Sequence, residues 1–243
     1  MPNIVKLSAV PNYEDLVYVR LSTLAMATPS VAVLGSGAVG TYFAGLLIER
    51  GHNVAIVSRA SKSSQQREDK MREHGLTMGG PQQVQVLTRL IDADTMRRAL
   101  APPSALKTCD IIYVTVKRPG NVWVGEVLSK YAKRGATVVC CQNGIAQREE
   151  LQPLAGSWTG QILDGMLLIS VNYTDQPRPT CLFYPNPKLD MLEIDGAGER
   201  GAAAQAAAEL IAGAGFPAKA VPDIATQQRT KVVFNMNNAT SAL

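Results

Sequence analysis

Histidine is close to absent from this chain, which holds only His52 and His74 among its 243 residues. Hydrolytic sites of the serine-histidine-acid or cysteine-histidine kind need an imidazole beside the nucleophile. His52 falls in a turn entering a strand pattern and His74 follows a polar helical pattern, so neither is placed to serve. The four cysteines, Cys109, Cys140, Cys141 and Cys181, lack metal-ligand spacing and lie in or beside apolar runs. They read as buried, reduced thiols of a cytoplasmic protein with no metal site. Aromatic residues are 5% of the chain, and its Lys and Arg are scattered, with a formal net charge of +4. That leaves neither the stacking residues nor the basic stripe of a nucleic-acid binder, while a mild positive excess suits a small anionic ligand. No apolar run reaches the roughly 18 residues needed to span a bilayer, so no membrane partner is expected. Glu14, Asp15 and Arg20 interrupt the opening segment, which therefore lacks the apolar core of a secretory signal. Residues 1–25 are expected to form an N-terminal extension outside the fold.

Hydrophobic residues, at 46%, are sufficient for a sizeable core. The organising stretch is VAVLGSGAVGTYFAGLLIERGHNVAIVSRA, residues 31–60. Val31 to Leu34 is a short unbroken apolar run, as expected of a parallel strand buried on both faces. Gly35, Ser36, Gly37, Ala38, Val39 and Gly40 then form a G-x-G-x-x-G turn opening a helix, with Val39, Phe43, Leu46 and Leu47 at helical spacing. A second apolar run, Asn53 to Val57, completes a β-α-β unit. Glycines in this pattern give a tight turn, close backbone approach to a pyrophosphate and close helix packing, and the helix N-terminus offers N–H groups to the phosphates. After the second strand, a carboxylate would accept bonds from the ribose 2′-hydroxyl of NAD; here the residues are Ser58, Arg59, Ala60, Ser61 and Lys62. A guanidinium there is suited to a 2′-phosphate, so the expected cofactor is NADP(H), unless Arg59 and Lys62 are simply solvated loop charges.

Further along, an exposed helix is expected from Lys62 to Glu73, short strands at 76–78 and 84–87, and a helix from Asp94 to Leu100 ended by Pro102-Pro103. Strands follow at 110–116 and 136–141, one long strand-like run at 161–171, and others near 180–184 and 191–194. The alanine-rich segment 201–215 reads as a smooth-faced helix stopped by Gly213 and Gly215, with a last strand at 216–221. In a doubly wound sheet ligands bind beyond the carboxyl ends of the strands. Lys117 and Asn143, which follow two of these strands, therefore belong at the glycine turn, or else are a solvated lysine and half of an Asn-Gly turn. From Ile224 onward the pattern is helical, with Lys231, Asn235 and Asn238 on one face among apolar neighbours. Such a stripe lines a cleft or faces water.

Carbonyl reduction by a nicotinamide needs a proton donor to the developing alkoxide. With the histidines out of reach, Lys231 is the preferred acid, its pKa lowered in an apolar cleft, while Lys117 and the asparagines position substrate and cofactor. VAVLGSGAVGTYFAGLL, SRA, VTVK at 114–117, QNGIAQREEL at 142–151 and the K-x-x-x-N from Lys231 to Asn235 occur in an order that resembles the ketopantoate reductase (2-dehydropantoate 2-reductase) family. The resemblance implies an α/β Rossmann-type doubly wound sheet with the start of a C-terminal helical domain. It implies an NADP-binding domain over 26–222 and the first helix of a truncated helical substrate domain over 223–243. It further implies that Arg59 contacts the 2′-phosphate, that Lys117 and Asn143 lie at cofactor and substrate, that Lys231 is the general acid and that Asn235 binds substrate. The expected reaction is reduction of a 2-keto acid, foremost 2-dehydropantoate to pantoate. A β-hydroxyacid dehydrogenase and a non-catalytic NADP-binding protein are the alternatives. If the chain stops inside the helical domain, it is expected to bind NADPH, to reduce keto acid poorly and to self-associate as a homo-oligomer through the terminal helix.

Overall fold

A computed structural model describes residues 30–80, 89–175 and 178–240, with side chains through residue 236. The expected extension 1–25, the strand at 84–87 and the side chain of Asn238 lie outside the described residues.

The first β-α-β unit forms as its pattern dictates: β1 (Val31–Leu34), α1 (Ala38–Glu49) and β2 (Val54–Val57). Next come α2 (Lys62–His74), β3 (Leu76–Gly79), β4 (Arg89–Ile91) and α3 (Ala93–Ala99). Ser61 and Asp92 start α2 and α3 by accepting bonds from the N–H groups of Ser64 and Thr95. β5 (Ile111–Val114), α4 (Asn121–Tyr131), β6 (Thr137–Cys140), α5 (Gln147–Leu154) and β7 (Gln161–Leu168) continue the alternation. The chain ends with β8 (Val171–Thr174), β9 (Thr180–Phe183), β10 (Met191–Asp195), α6 (Gly201–Gly213), β11 (Ala218–Val221) and α7 (Ile224–Thr240).

Seven strands make the main sheet in the order β11-β10-β7-β6-β5-β1-β2, parallel except where β10 meets β7. The order reverses beside β1, which has β2 on one side and β5 on the other. Register aligns the strand ends: Leu34 sits opposite both Val57 and Val114, and Val114 opposite Cys140. The residues that follow therefore leave the sheet along one edge, next to the reversal. A second sheet, β4-β3-β9-β8, has four strands.

The central strands are buried almost throughout, and their side chains alternate between the two faces with the pleat. Val31, Val33, Tyr113, Val139 and Leu163 pack on one face with Phe43 and Leu47 of α1 and Ala204, Ala207, Ala208 and Ile211 of α6. The alanines let α6 approach closely, and the Tyr113 hydroxyl donates to the Ala207 carbonyl at 2.6 Å. Leu34, Ile112, Val114, Val138 and Ile162 pack on the other face with Val124, Val127 and Leu128 of α4 and Leu151 of α5.

One expectation is corrected. The apolar run 161–171 is not one strand: β7 ends at Leu168, β8 starts at Val171, and the two belong to different sheets. β10 pairs with β7 only as far as Leu168, and the chain turns away through exposed Ser170. On α7, Val233, Phe234 and Met236 are exposed at 66%, 62% and 65%. Among the described residues no helix is long and apolar enough to cross a membrane.

Candidate active site

The glycine turn has the shape that its sequence requires. Gly35 has φ +113°, a left-handed conformation that costs glycine little, and a side chain there would meet Val116 at 2.9 Å. At Gly40 a Cβ would stand 2.0 Å from the Gly35 carbonyl oxygen and 2.5 Å from Thr115 Oγ1, so helix and turn touch backbone to backbone. At Gly37, by contrast, a Cβ would meet nothing within 4 Å among the described residues. The N-terminus of α1 has neither a side-chain cap nor an acidic residue in its first turn. Its free N–H groups and positive dipole end face open space, a site suited to an anion.

That turn forms one end of a cleft of about 1170 Å³. Gly35 to Val39, Arg59, Lys117, Asn143, Lys231 and Asn235 all line it, so the structure brings together every described candidate except Gly40, which packs beneath the turn. Arg59 also borders a neighbouring hollow of about 400 Å³ with Ser58, Glu68 and Asp69. Arg72 holds both of those carboxylates, Asp69 at 2.9 Å and Glu68 at 3.3 Å, which offsets their charge beside the Arg59 guanidinium.

Lys231 reaches the sheet edge from α7. Its Nζ donates to Asn143 Oδ1 at 2.6 Å and to the Leu167 carbonyl oxygen. Burial disfavours the charged ammonium and moves its pKa below the ordinary lysine value. The nearby Cys141 thiol is pushed far upward by its own burial, so it stays neutral. The other thiols are buried too, Cys109 rising to about 11 and Cys181 to about 12 by desolvation. His52 and His74 line neither cavity.

Side-chain amides fix α7 against this edge. Buried Gln228 donates to Gln147 Oε1 at 2.6 Å and to the Gly165 carbonyl at 3.2 Å, and its own oxygen accepts from the Ala146 N–H at 3.4 Å. Ala146, at φ 57°, is in the left-handed region that favours glycine. Gln142 Nε2 bonds Asn121 Oδ1 at 2.6 Å and the Val116 carbonyl at 2.9 Å, tying the residues before Asn143 to those before Lys117. Glu150 joins the same network, accepting from Asn121 at 2.9 Å and from Arg118, whose guanidinium draws its carboxyl pKa down.

Several lining residues carried no signal in the sequence. Asn186, Leu189 and Asp190 come from the loop between β9 and β10, and Ile169 and Ser170 from the break after β7. Burial raises the Asp190 carboxyl pKa, against a bond from the Asn186 N–H. Arg67, on the mostly polar α2, also reaches the cleft.

None of the curated proteins matches the chain. Solved structures do. A ketopantoate reductase from Ralstonia eutropha superposes with a TM-score of 0.65 at 20% identity, covering 84% of this chain and 60% of its own. A 2-dehydropantoate 2-reductase from Geobacter metallireducens gives 0.64 at 19%, covering 84% and 62%. D-mandelate dehydrogenase, solved with NADH and anilino(oxo)acetate, gives 0.62 at 18%, covering 80% and 57%. The chain thus spans about 60% of the length of these structures, and at such identities the likeness speaks for the Rossmann-like fold. The model of the family described as ketopantoate reductase PanE/ApbA matches residues 31–178, from β1 past the end of β8. Since that match takes in the glycine turn and more than half of the sequence, the chain belongs to the PanE/ApbA ketopantoate reductase family of oxidoreductases.

Proposed function

We propose that this chain is an NADP(H)-dependent reductase of 2-keto acids and that its preferred substrate is 2-dehydropantoate. The observation that carries this reading is Lys231: a half-buried ammonium of lowered pKa in the same cleft as an uncapped helix N-terminus. An ammonium has three N–H donors. Asn143 and the Leu167 carbonyl take two, leaving the third for the substrate's keto oxygen.

The residues fit a dinucleotide, because the space beside Gly37 admits a pyrophosphate that any side chain there would obstruct. Gly35, Ser36, Gly37, Ala38, Val39 and Gly40 would hold it through the turn and the start of α1, Arg59 would hold the 2′-phosphate, and Lys117 and Asn143 would flank the reacting end. When bound, the nicotinamide supplies the hydride that reduces the keto carbon. Lys231 donates its third proton to the oxygen of the same carbonyl, where negative charge develops. The resulting neutral amine keeps two N–H bonds, matching its two acceptors, so proton release leaves no donor unpaired. Asn235, one turn further along α7 and also on the cleft, orients the substrate. Asn238 is proposed for the same task. Four buried, unreactive thiols are compatible with a reducing cytoplasm.

A second reading draws on the likeness to D-mandelate dehydrogenase, whose complex contains NADH. It pairs NADH with an aromatic 2-keto acid. Titrating NADPH and NADH against the wild type and Arg59→Asp separates the two readings. A guanidinium-phosphate contact is worth roughly tenfold to a hundredfold in affinity. NADPH should bind more tightly by that factor in the wild type and lose the advantage in the variant; equal wild-type affinities would favour NADH.

A further inference from the structure

We propose that Arg67 is a second cationic contact for the cofactor and that it grips the pyrophosphate, separately from the 2′-phosphate assigned to Arg59. The proposal rests on the dinucleotide reading above. Arg67 leaves α2 and lies across the glycine turn, donating from Nη1 to the Ser36 carbonyl at 2.8 Å. Its guanidinium carbon stands 5.0 Å from the centre of the Tyr173 ring on β8, a cation-π contact. Two elements far apart in sequence thus hold it in place.

What they leave undone points to a ligand. A guanidinium carries five N–H donors, and among the described residues Arg67 makes no ion pair. Among the described residues its Nε is buried without a hydrogen-bond partner. The neighbouring carboxylate does not neutralise it, since Glu68 is taken by the Ser36 hydroxyl at 3.4 Å and by Arg72. A charged donor held rigidly at a cleft wall with unmet N–H bonds matches an anionic, oxygen-rich group. Position says which one. Arg67 shares the large cleft with Ser58 and Arg59, but unlike them it does not line the smaller hollow at the end of β2, and its one bond is to Ser36 inside the glycine turn. It therefore stands over the N-terminus of α1, where the pyrophosphate belongs, rather than beside the 2′-phosphate.

Two fragments of the cofactor separate these roles: 5′-ADP has the pyrophosphate and no 2′-phosphate, and 2′-AMP has the reverse. Binding of both, and of NADPH and NADH, would be measured calorimetrically on the full chain for the wild type, Arg67→Gln, Arg67→Lys and Arg59→Gln. Glutamine at 67 keeps a donor for the Ser36 carbonyl while removing the charge, which guards against collapse of the turn. Arg67→Gln should weaken 5′-ADP, NADPH and NADH alike by roughly tenfold to a hundredfold and leave 2′-AMP unchanged. Arg67→Lys should recover part of the loss. Arg59→Gln should weaken 2′-AMP and NADPH only. If Arg67→Gln leaves 5′-ADP unchanged, or weakens 2′-AMP as much, the proposal is overturned while the dinucleotide site stands. If the wild type binds none of the four ligands, the dinucleotide reading falls and the proposal falls with it.

Discussion

Lys231 has two of its three N–H bonds taken by the fold, and burial makes its proton easier to release. Both facts bear on how the rate should depend on pH. With Lys231 as the proposed proton donor, reduction would use the protonated amine, so its rate should be full below the Lys231 pKa and fall as pH rises through it. Because desolvation lowers that pKa, the descending limb should lie below the ordinary lysine value of 10.5. A pH profile of kcat for keto acid reduction checks this; a flat profile, or a limb at the ordinary value, would exclude Lys231 as the proton donor. The same residue shows what local sequence can convey. Its placement on a helix with few alternative acids was readable, because a scarcity of histidine and an i, i+4 spacing to Asn235 are properties of the chain itself. Its two acceptors were not: Asn143 and Leu167 are 88 and 64 residues away, and only the sheet brings them to it.

At the scale of elements, the glycine turn and its β-α-β unit were legible because every constraint is local: a buried strand, a left-handed glycine and a helix that must pack close. α4 and α5 were not. α4 begins Asn-Val-Trp-Val, a strand-like opening, and α5 is short, with Pro153 inside it. The run 161–171 misled for a complementary reason, since the break after Leu168 is imposed by where β10 stops pairing and leaves no glycine or proline as a mark. Arg67 was hidden because α2 has a single buried residue, Met71, and so shows no face from which its direction could be read. The connection between α7 and the sheet is likewise non-local and runs through Gln228. Replacing it as Gln228→Leu would leave Gln147, the Ala146 N–H and the Gly165 carbonyl short of partners in a buried place. Loss of such bonds costs roughly 1–3 kcal/mol. Thermal unfolding should register that loss, and kcat should fall through displacement of Lys231 while NADPH affinity, set at the other end of the cleft, is kept. Unchanged stability and unchanged kcat would remove Gln228 from a positioning role.

For the whole molecule, strand order and register bring the parts together. Because Leu34, Val57, Val114 and Cys140 end level with one another, Gly35, Ser58, Thr115 and Cys141 leave along one edge, and the residues after them wall a single cleft. α7 then lays Lys231 across that edge, so the uncapped N-terminus of α1 and the Lys231 ammonium face the same space. The central claim is that this shared space is a reductase site in which Lys231 supplies the proton. The most direct measurement is a single-turnover reaction: enzyme in excess, preloaded with NADPH, is mixed with saturating 2-dehydropantoate, and the loss of reduced nicotinamide absorbance is followed for the wild type and Lys231→Ala. Removing a general acid costs roughly a hundredfold or more in rate. The wild type should oxidise its bound NADPH and Lys231→Ala should do so at least about a hundredfold more slowly while binding NADPH normally; equal rates in the two proteins, or no oxidation of bound NADPH by the wild type, would contradict the account.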